Sequence, residues 1–435
     1  MSRNRFAVPA VLVMVLGLAL LAAGTASGSK DSVTATSKVT GSISIIAKWT
    51  AAEQKAFEAV LAPFKKANPG LKIKYTGVGD NITQVLSTAV TGGRPPDIGQ
   101  VPQPGLMKQF AARGALKPIT FAKAAISKNF QPVWTQLGSV NGKLYGLYFK
   151  GANKSTIWYN VKSFKDAGVT PPTTWPQLLT AAKTLRSAGT PAYSIGGADG
   201  WTLTDLFENI YLRTAGPAKY DQLTEHKIKW TDPSVKTALK TMADIVGDTG
   251  NIAGGADGAL QTDFNTSVSN VFSESPKAAM VLEGDFVPGV VAGKNPLKPL
   301  TGYNQFAFPS IAGSKPAVMG GGDVLIAFKD NPGVRALIMY LTTPQAAEIW
   351  AKLGGYSSPN KFVKASAYPD ALSRQTATAL AKATLFRFDM SDLAPSEFGG
   401  GGGTEWKLLQ DFLKNPKDVD GIASKLEAAA AKAYG

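Results

Sequence analysis

Not one of the 435 residues is a cysteine, and only His226 is a histidine. The first absence excludes disulfides, thiolate metal sites and a cysteine nucleophile. The second leaves no imidazole cluster for a metal, and His226, in the polar stretch "TEHKIKW", reads as a surface residue. Phosphate-loop chemistry is missing too, with no G-x-x-x-x-G-K-[ST] run and no G-x-S-x-G elbow. The glycines of "GGGD" at 320–323 lack G-x-G-x-x-G spacing and lead into the strand-like "VLIAF", so nucleotide binding is disfavoured. Charge is sparse, 18% against 44% hydrophobic residues, which is the balance of a chain that builds cores. Its length accommodates two of them.

The N-terminus reads as a secretion signal: Arg3 and Arg5 precede an apolar run over 7–23, followed by the small residues "AAGTASGS". Interrupted by Pro9, that run is short for a bilayer span. Cleavage after Ala26 is expected, because Gly24 and Ala26 are both small. "LLAAG" looks like a lipobox, but Thr25 stands where the lipidated cysteine would be, so thioether lipidation is excluded. Residues 27–40 are small and polar without hydrophobic periodicity, as in a flexible linker. The formal charge is +15, with the lysines scattered singly apart from Lys65 and Lys66. That is no nucleic-acid stripe, though a basic exported protein can adhere to an anionic envelope.

From Gly41 onward, strand-like and helical patterns alternate: "SISIIAKW", a helix over 50–67, "LKIKYTGV", "ITQVLSTAVTGG" and "PDIGQVP". This alternation predicts an α/β fold with a largely parallel sheet. In the first helix Thr50 and Glu53 fit a capping box, and Phe57, Val60, Leu61 and Phe64 share one face. "TTWPQLL" repeats the grammar with Thr174 as N-cap and Gln177 at the third helical position. In "TDPSVKTALKTMADIV", Asp232 caps, Pro233 opens the helix, and Val235, Leu239, Met242 and Val246 form its apolar stripe. The run "FGGGGGTEW", with glycine at every position from 399 to 403, reads as a loop.

The enzyme-like signal is a carboxylate pair. Glu283 and Asp285 in "AAMVLEGDF" are expected on one side of a strand, and a glycosidase needs two carboxyls across its scissile bond. Neighbours on one strand, however, sit side by side instead of facing each other. More abundant are aromatic residues beside polar ones: Trp49 with Glu53, "DGWTLTDLFE", "EGDF", "RFDMSD" and "GTEW". Sugars present flat C–H faces and a rim of hydroxyls, which aromatic platforms flanked by carboxylates and amides would match.

The segments "KWTAAEQKAFEAVLAPFKKANPG", "GGRPPDIGQVPQPGLMKQFAARGALKPI", "NGKLYGLYFKGANKSTIWYN", "DGWTLTDLFENIYLRTAGPAKYDQLTEHKIKWTDPSVK", "AAMVLEGDFVPG" and "FRFDMSDLAPSEF" occur in this order. Through them the chain resembles extracellular solute-binding proteins of carbohydrate ABC importers, the family that includes maltose-binding protein, and is nearest its α-glucoside-binding branch. The resemblance implies a two-lobed periplasmic-binding-protein fold, with residues 41–151 and 307–353 in the N-terminal lobe and 152–306 and 354–435 in the C-terminal lobe. Three hinge crossings are expected near 150–153, 303–308 and 353–357.

It implies a non-enzymatic, exported receptor without cofactor or metal, monomeric, with a carbohydrate ligand, an ABC permease partner and no nucleic acid. Ligand-facing residues by this matching are Trp49, Glu53, Gln103, Asn153, Lys154, Trp201, Asp205, Glu283, Asp285, Phe286, Asp323, Arg387, Asp389 and Trp406. Trp49 is either a sugar platform at the end of a strand or a core tryptophan. A peptide or polyamine receptor and a secreted glycosidase are the rival readings.

Overall fold

The computed structural model describes residues 38–294 and 297–435, so the expected signal segment and most of the linker lie outside the described residues. The strands of the first half are β1 (Gly41–Ala47), β2 (Leu71–Gly77), β3 (Ile98–Val101), β4 (Ser139–Val140), β5 (Lys143–Leu144) and β6 (Gly146–Asn153). They continue with β7 (Thr156–Asn160), β8 (Tyr193–Ser194), β9 (Met280–Leu282), β10 (Tyr303–Ala307), β11 (Val318–Ala327) and β12 (Phe386–Phe388).

Two main sheets result. One runs β12-β11-β3-β1-β2 with β6 also paired to β11; the other runs β10-β7-β9-β8. In the first, β1 lies parallel to both β2 and β3 (Ile45 opposite Tyr75 and Ile98), while β11 runs antiparallel to β3 and β6. Each sheet has its own large core, as a two-lobed α/β protein requires. The chain leaves the first sheet at Asn153 and enters the second at Thr156. It returns between Ala307 and Val318, and β12 still belongs to the first sheet before the C-terminal helices join the second core.

The helix periodicities are realised. Phe57, Val60, Leu61 and Phe64 are buried on the helix Ala51–Ala67, and Val235, Leu239, Met242 and Val246 on the helix Pro233–Val246. Asp232 accepts from the Ser234 N–H at 2.8 Å, and Gln177 accepts from the Thr174 N–H at 3.2 Å. The Thr50 capping box does not form. The Thr50 side chain makes no capping bond, and the Glu53 carboxylate goes instead to the Lys150 ammonium, where a charge-assisted bond outweighs one to a backbone N–H. Glu283 and Asp285 are likewise not on a strand: β9 ends at Leu282, and the two carboxylates occupy the turn beyond it. The glycine run 399–403 is a loop, as expected, leading into the helix Thr404–Lys414.

Candidate functional site

Strands that run parallel within a sheet deliver their C-terminal ends to one side, where the chain is free of ladder bonds and can present side chains. In the first sheet β1 leads to Lys48 and Trp49, and β3 leads to Gln103. In the second, β8 and β9 pair in parallel and lead to the helix Trp201–Thr224 and to Glu283. The β6–β7 passage adds Asn153 and Lys154. These ends meet: the Lys48 ammonium lies 5.2 Å from the Trp201 ring centroid, Lys154 lies 5.7 Å from the same ring, and the Asp285 N–H donates to the Asn153 carbonyl at 3.0 Å.

Lys154 sits in a carboxylate cage. It donates to Asp205 Oδ1 at 2.9 Å and to Asp389, with Asp392 3.9 Å away. Burial disfavours its charge, but Asp205, Asp389 and Asp392 together hold its pKa well above the lysine range. One cation cannot neutralise three acids. Asp389 also accepts from Ser391 Oγ and the Asp392 N–H, at 2.8 and 2.9 Å, and these bonds with Lys154 overcome its burial and bring it down to about 2. Asp205 is pushed up to about 8 by burial, which Lys154 only partly offsets and Asp389 reinforces. Glu208 positions the group by accepting from the Met390 and Ser391 N–H groups at 2.6 and 2.9 Å, tying the turn at Asp389 to the helix that carries Asp205.

A second cluster lies on the first lobe. Lys150 pairs with Glu53 and stands 3.9 Å from Asp323, whose carboxylate accepts from the Trp49 indole at 2.8 Å. Its ammonium is also 5.6 Å from the Phe286 ring, which belongs to the other lobe. Asp285 is buried beyond it, pushed up to about 6 by desolvation against the bond it accepts from Ser357 Oγ.

The third group opens onto a cavity of about 360 Å³ lined by Asp80, Asn81, Asp199, the glycines 401–403 and Trp406, within the range of small-molecule sites (roughly 300 to 1,000 Å³). Asp80 pairs with Lys48 at 3.1 Å, and Lys48 holds its carboxyl below the usual range. The Trp201 indole N–H faces Asp80 and helps hold it down, short of full hydrogen-bond geometry. Trp406 Nε1, Asp205 Oδ2 and Glu283 Oε2 are buried and have no hydrogen-bond partner among the described residues. Each such orphan costs about 1–3 kcal/mol unless something fills it.

Most residues singled out from the sequence gather here, with two exceptions. Trp49 is fully buried, packed 4.8 Å from Phe57 and 4.9 Å from Trp350, so the core alternative describes it and no ring face is left for a sugar. Tyr75 OH donating to its carbonyl, at 2.6 Å, fixes it further. Arg387 is drawn away by a bidentate pair with Asp221, at 2.6 and 2.9 Å. Gln103 is buried beside the glycine loop and 3.5 Å from Thr83 Oγ1.

Sequence reading missed Lys48, Asp80, Lys150, Asp199, Asp392 and Glu405. The signal available for Lys48 and Lys150 was a lysine at the very end of, or inside, an apolar strand. Both Glu405 carboxyl oxygens are buried without a hydrogen-bond partner among the described residues, and burial, then Asp389 and Asp392, hold its pKa well above the usual carboxylate range.

The family model for bacterial extracellular solute-binding proteins matches residues 47–348. The osmoprotective compounds-binding protein GgtB of Synechocystis is 32% identical over 385 residues, spanning 85% of this chain and 88% of that protein. The alpha-glucosides-binding periplasmic protein AglE of Rhizobium meliloti is 31% identical over 407 residues, spanning 89% and 86%. Among solved structures, the bacterial solute receptor AcbH superposes with a TM-score of 0.81 at 19% identity (91% of this chain, 100% of that one). The raffinose complex of RafE gives 0.74 at 20% identity (91% and 100%). At such identities the likeness concerns the fold.

Proposed function

The chain belongs to the family of bacterial extracellular solute-binding proteins, and from that premise we propose that it is the exported, non-enzymatic receptor of an ABC importer, capturing a short α-glucoside or related sugar between its lobes. The observation that carries the carbohydrate reading is the set of buried, unfilled polar atoms beside aromatic rings. The Trp406 indole N–H is a donor on the cavity lining, and Asp205 and Glu283 carry carboxyl oxygens near Lys154, whose ammonium lies over the Trp201 ring. Sugar hydroxyls both donate and accept, and the C–H faces stack on rings. The acids do not favour a polyamine, because Lys154 already occupies the cage of Asp205 and Asp389. Glu283 and Asp285 do not favour a glycosidase, because Asp285 is engaged by Ser357.

On this reading residues 41–151 and 307–353 move against 152–306 and 354–435 about the passages near 150–153, 303–308 and 353–357. The closed form is then presented to the permease by a monomer. A thermal-shift screen of the mature protein against glucose, maltose, trehalose, sucrose and raffinose tests it. At least one should raise the melting temperature, since a ligand that binds only the folded state stabilises it. Release of free glucose from any of them would overturn the receptor reading, and no shift with any sugar would overturn the carbohydrate reading.

A further inference from the structure

Of the five consecutive glycines 399–403, the last three line the cavity yet offer no side chain to a ligand, and the reason for being glycine differs from one position to the next. A Cβ at Gly399 would come 2.1 Å from the Ser391 carbonyl oxygen, and one at Gly403 would come 2.3 Å from that of Phe398. These two keep the loop tight on its own lobe, where Phe398 and Leu409 are in the second core. The middle of the run faces the other lobe. A Cβ at Gly400 would stand 2.3 Å from Gln103 Cγ and 3.3 Å from Gln103 Cβ; one at Gly401 would stand 2.0 Å from Thr83 Oγ1. Thr83 lies on the helix Ile82–Thr91 and Gln103 caps the helix Pro104–Ala112, both of which pack on the first sheet.

Gly402, with φ 86°, meets nothing within 4 Å. The same seam continues outward: Gln109 Nε2 donates to Glu397 at 2.8 Å, and Gln109 Oε1 accepts from Ser396 Oγ.

We propose that the glycine run is the closure contact of the receptor, a side-chain-free strip that lets the second lobe come down on Thr83 and Gln103 and seals the cavity behind the solute. Any side chain at position 400 acts as a wedge. The proposal rests on the reading of a solute captured between the lobes, and it assigns the tightness of capture to residues that contribute no polar group to the ligand. Gly400 is the informative position because its φ is not in the left-handed region, so alanine there adds bulk without backbone strain. Gly168, away from the cavity, is the converse: its φ is 67° and a Cβ there meets nothing within 4 Å, so alanine adds strain without touching the seam.

Calorimetry with the sugar that gives the largest thermal shift should find Gly400→Ala at least tenfold weaker than the parent, through faster release, with the melt and far-UV circular dichroism of the unliganded chain unchanged. Gly168→Ala should bind within about threefold of the parent. The lack of cysteine permits a second reading that needs no ligand. A Gln103→Cys/Gly400→Cys pair has its Cβ atoms close to disulfide spacing and should oxidise to an intramolecular bond that locks the lobes together. Equal affinity of Gly400→Ala and parent, or a pair that does not cross-link, overturns the proposal. A cross-linked pair in a protein whose parent binds none of the sugars refutes the carbohydrate reading and leaves the contact standing.

Discussion

Trp201 and Trp49 stand near the ends of strands in the two sheets, and their surroundings give them different work. Trp201 is part-exposed, with Lys48 and Lys154 near its ring and Phe264 and Phe286 at 5.2 and 6.0 Å. Trp49 has no exposure at all. Trp201→Ala should therefore weaken sugar binding roughly tenfold to a hundredfold, the loss of about 1–3 kcal/mol of stacking, with little change in melting. Trp49→Ala should leave a cavity costing about 3–5 kcal/mol of stability, read in a denaturant melt. A Trp49 variant that melts normally but has lost the sugar would reverse the assignment.

Lys154 offers a sharper contrast. Lys154→Met strands Asp205 and Asp389 without their cation, a loss on the order of 3–5 kcal/mol, whereas Lys154→Met with Asp205→Asn and Asp389→Asn should recover much of it. If the single variant melts like the parent, the cage contributes nothing to the fold. Nothing in the local sequence separates the two tryptophans, since the ring that covers Trp49 is Trp350, far along the chain.

At the scale of elements, periodicity and capping residues made the helices legible because those signals are local. What decided the exceptions was tertiary. Glu53 was spent on Lys150 from β6, and the turn 283–285 was shaped by Asn153 and Ser357, none of which is a sequence neighbour.

Asp285 joins the turn after β9 to two other passages. Its N–H goes to Asn153, its carboxylate accepts from Ser357, and Ser357 in turn accepts from the Gly151 N–H at 2.7 Å. Its pKa rises from 3.8 to about 6 because burial disfavours the charged form. The folded state thus holds a proton that the unfolded chain releases. The contribution is complete below about pH 4 and is lost as pH rises through 6, on the order of 3 kcal/mol in all. Asp285→Asn keeps the acceptor for Ser357 without a charge, so its stability should be flatter than the parent's between about pH 4 and 6, and higher at pH 7. Parallel pH profiles of parent and variant in urea melts would show that Asp285 is not the titrating group.

For the whole molecule, the α/β class was legible from the order of strand and helix patterns and the two lobes from the family resemblance, while the way the lobes touch was not, because it depends on side chains from opposite ends of the chain. The polar ones include Lys48 against the Trp201 ring, Lys150 against Phe286, and Gln109 with Glu397. Exposed polar contacts and cation–π pairs are each worth on the order of 1 kcal/mol, less than the differential binding a ligand can supply. The open and closed forms should then lie within a few kcal/mol of one another, so a sugar that bridges the lobes shifts the population in proportion to its preference for the closed form. Because each lobe keeps its own core, the motion should be a hinge rotation of two rigid bodies. Small-angle scattering at saturating sugar should record a smaller radius of gyration than without it, while far-UV circular dichroism stays constant. A sugar that binds by calorimetry yet leaves the radius unchanged would mean that capture occurs without closure. A change in circular dichroism would mean that a segment folds on binding, and either result would remove the rigid-lobe mechanism.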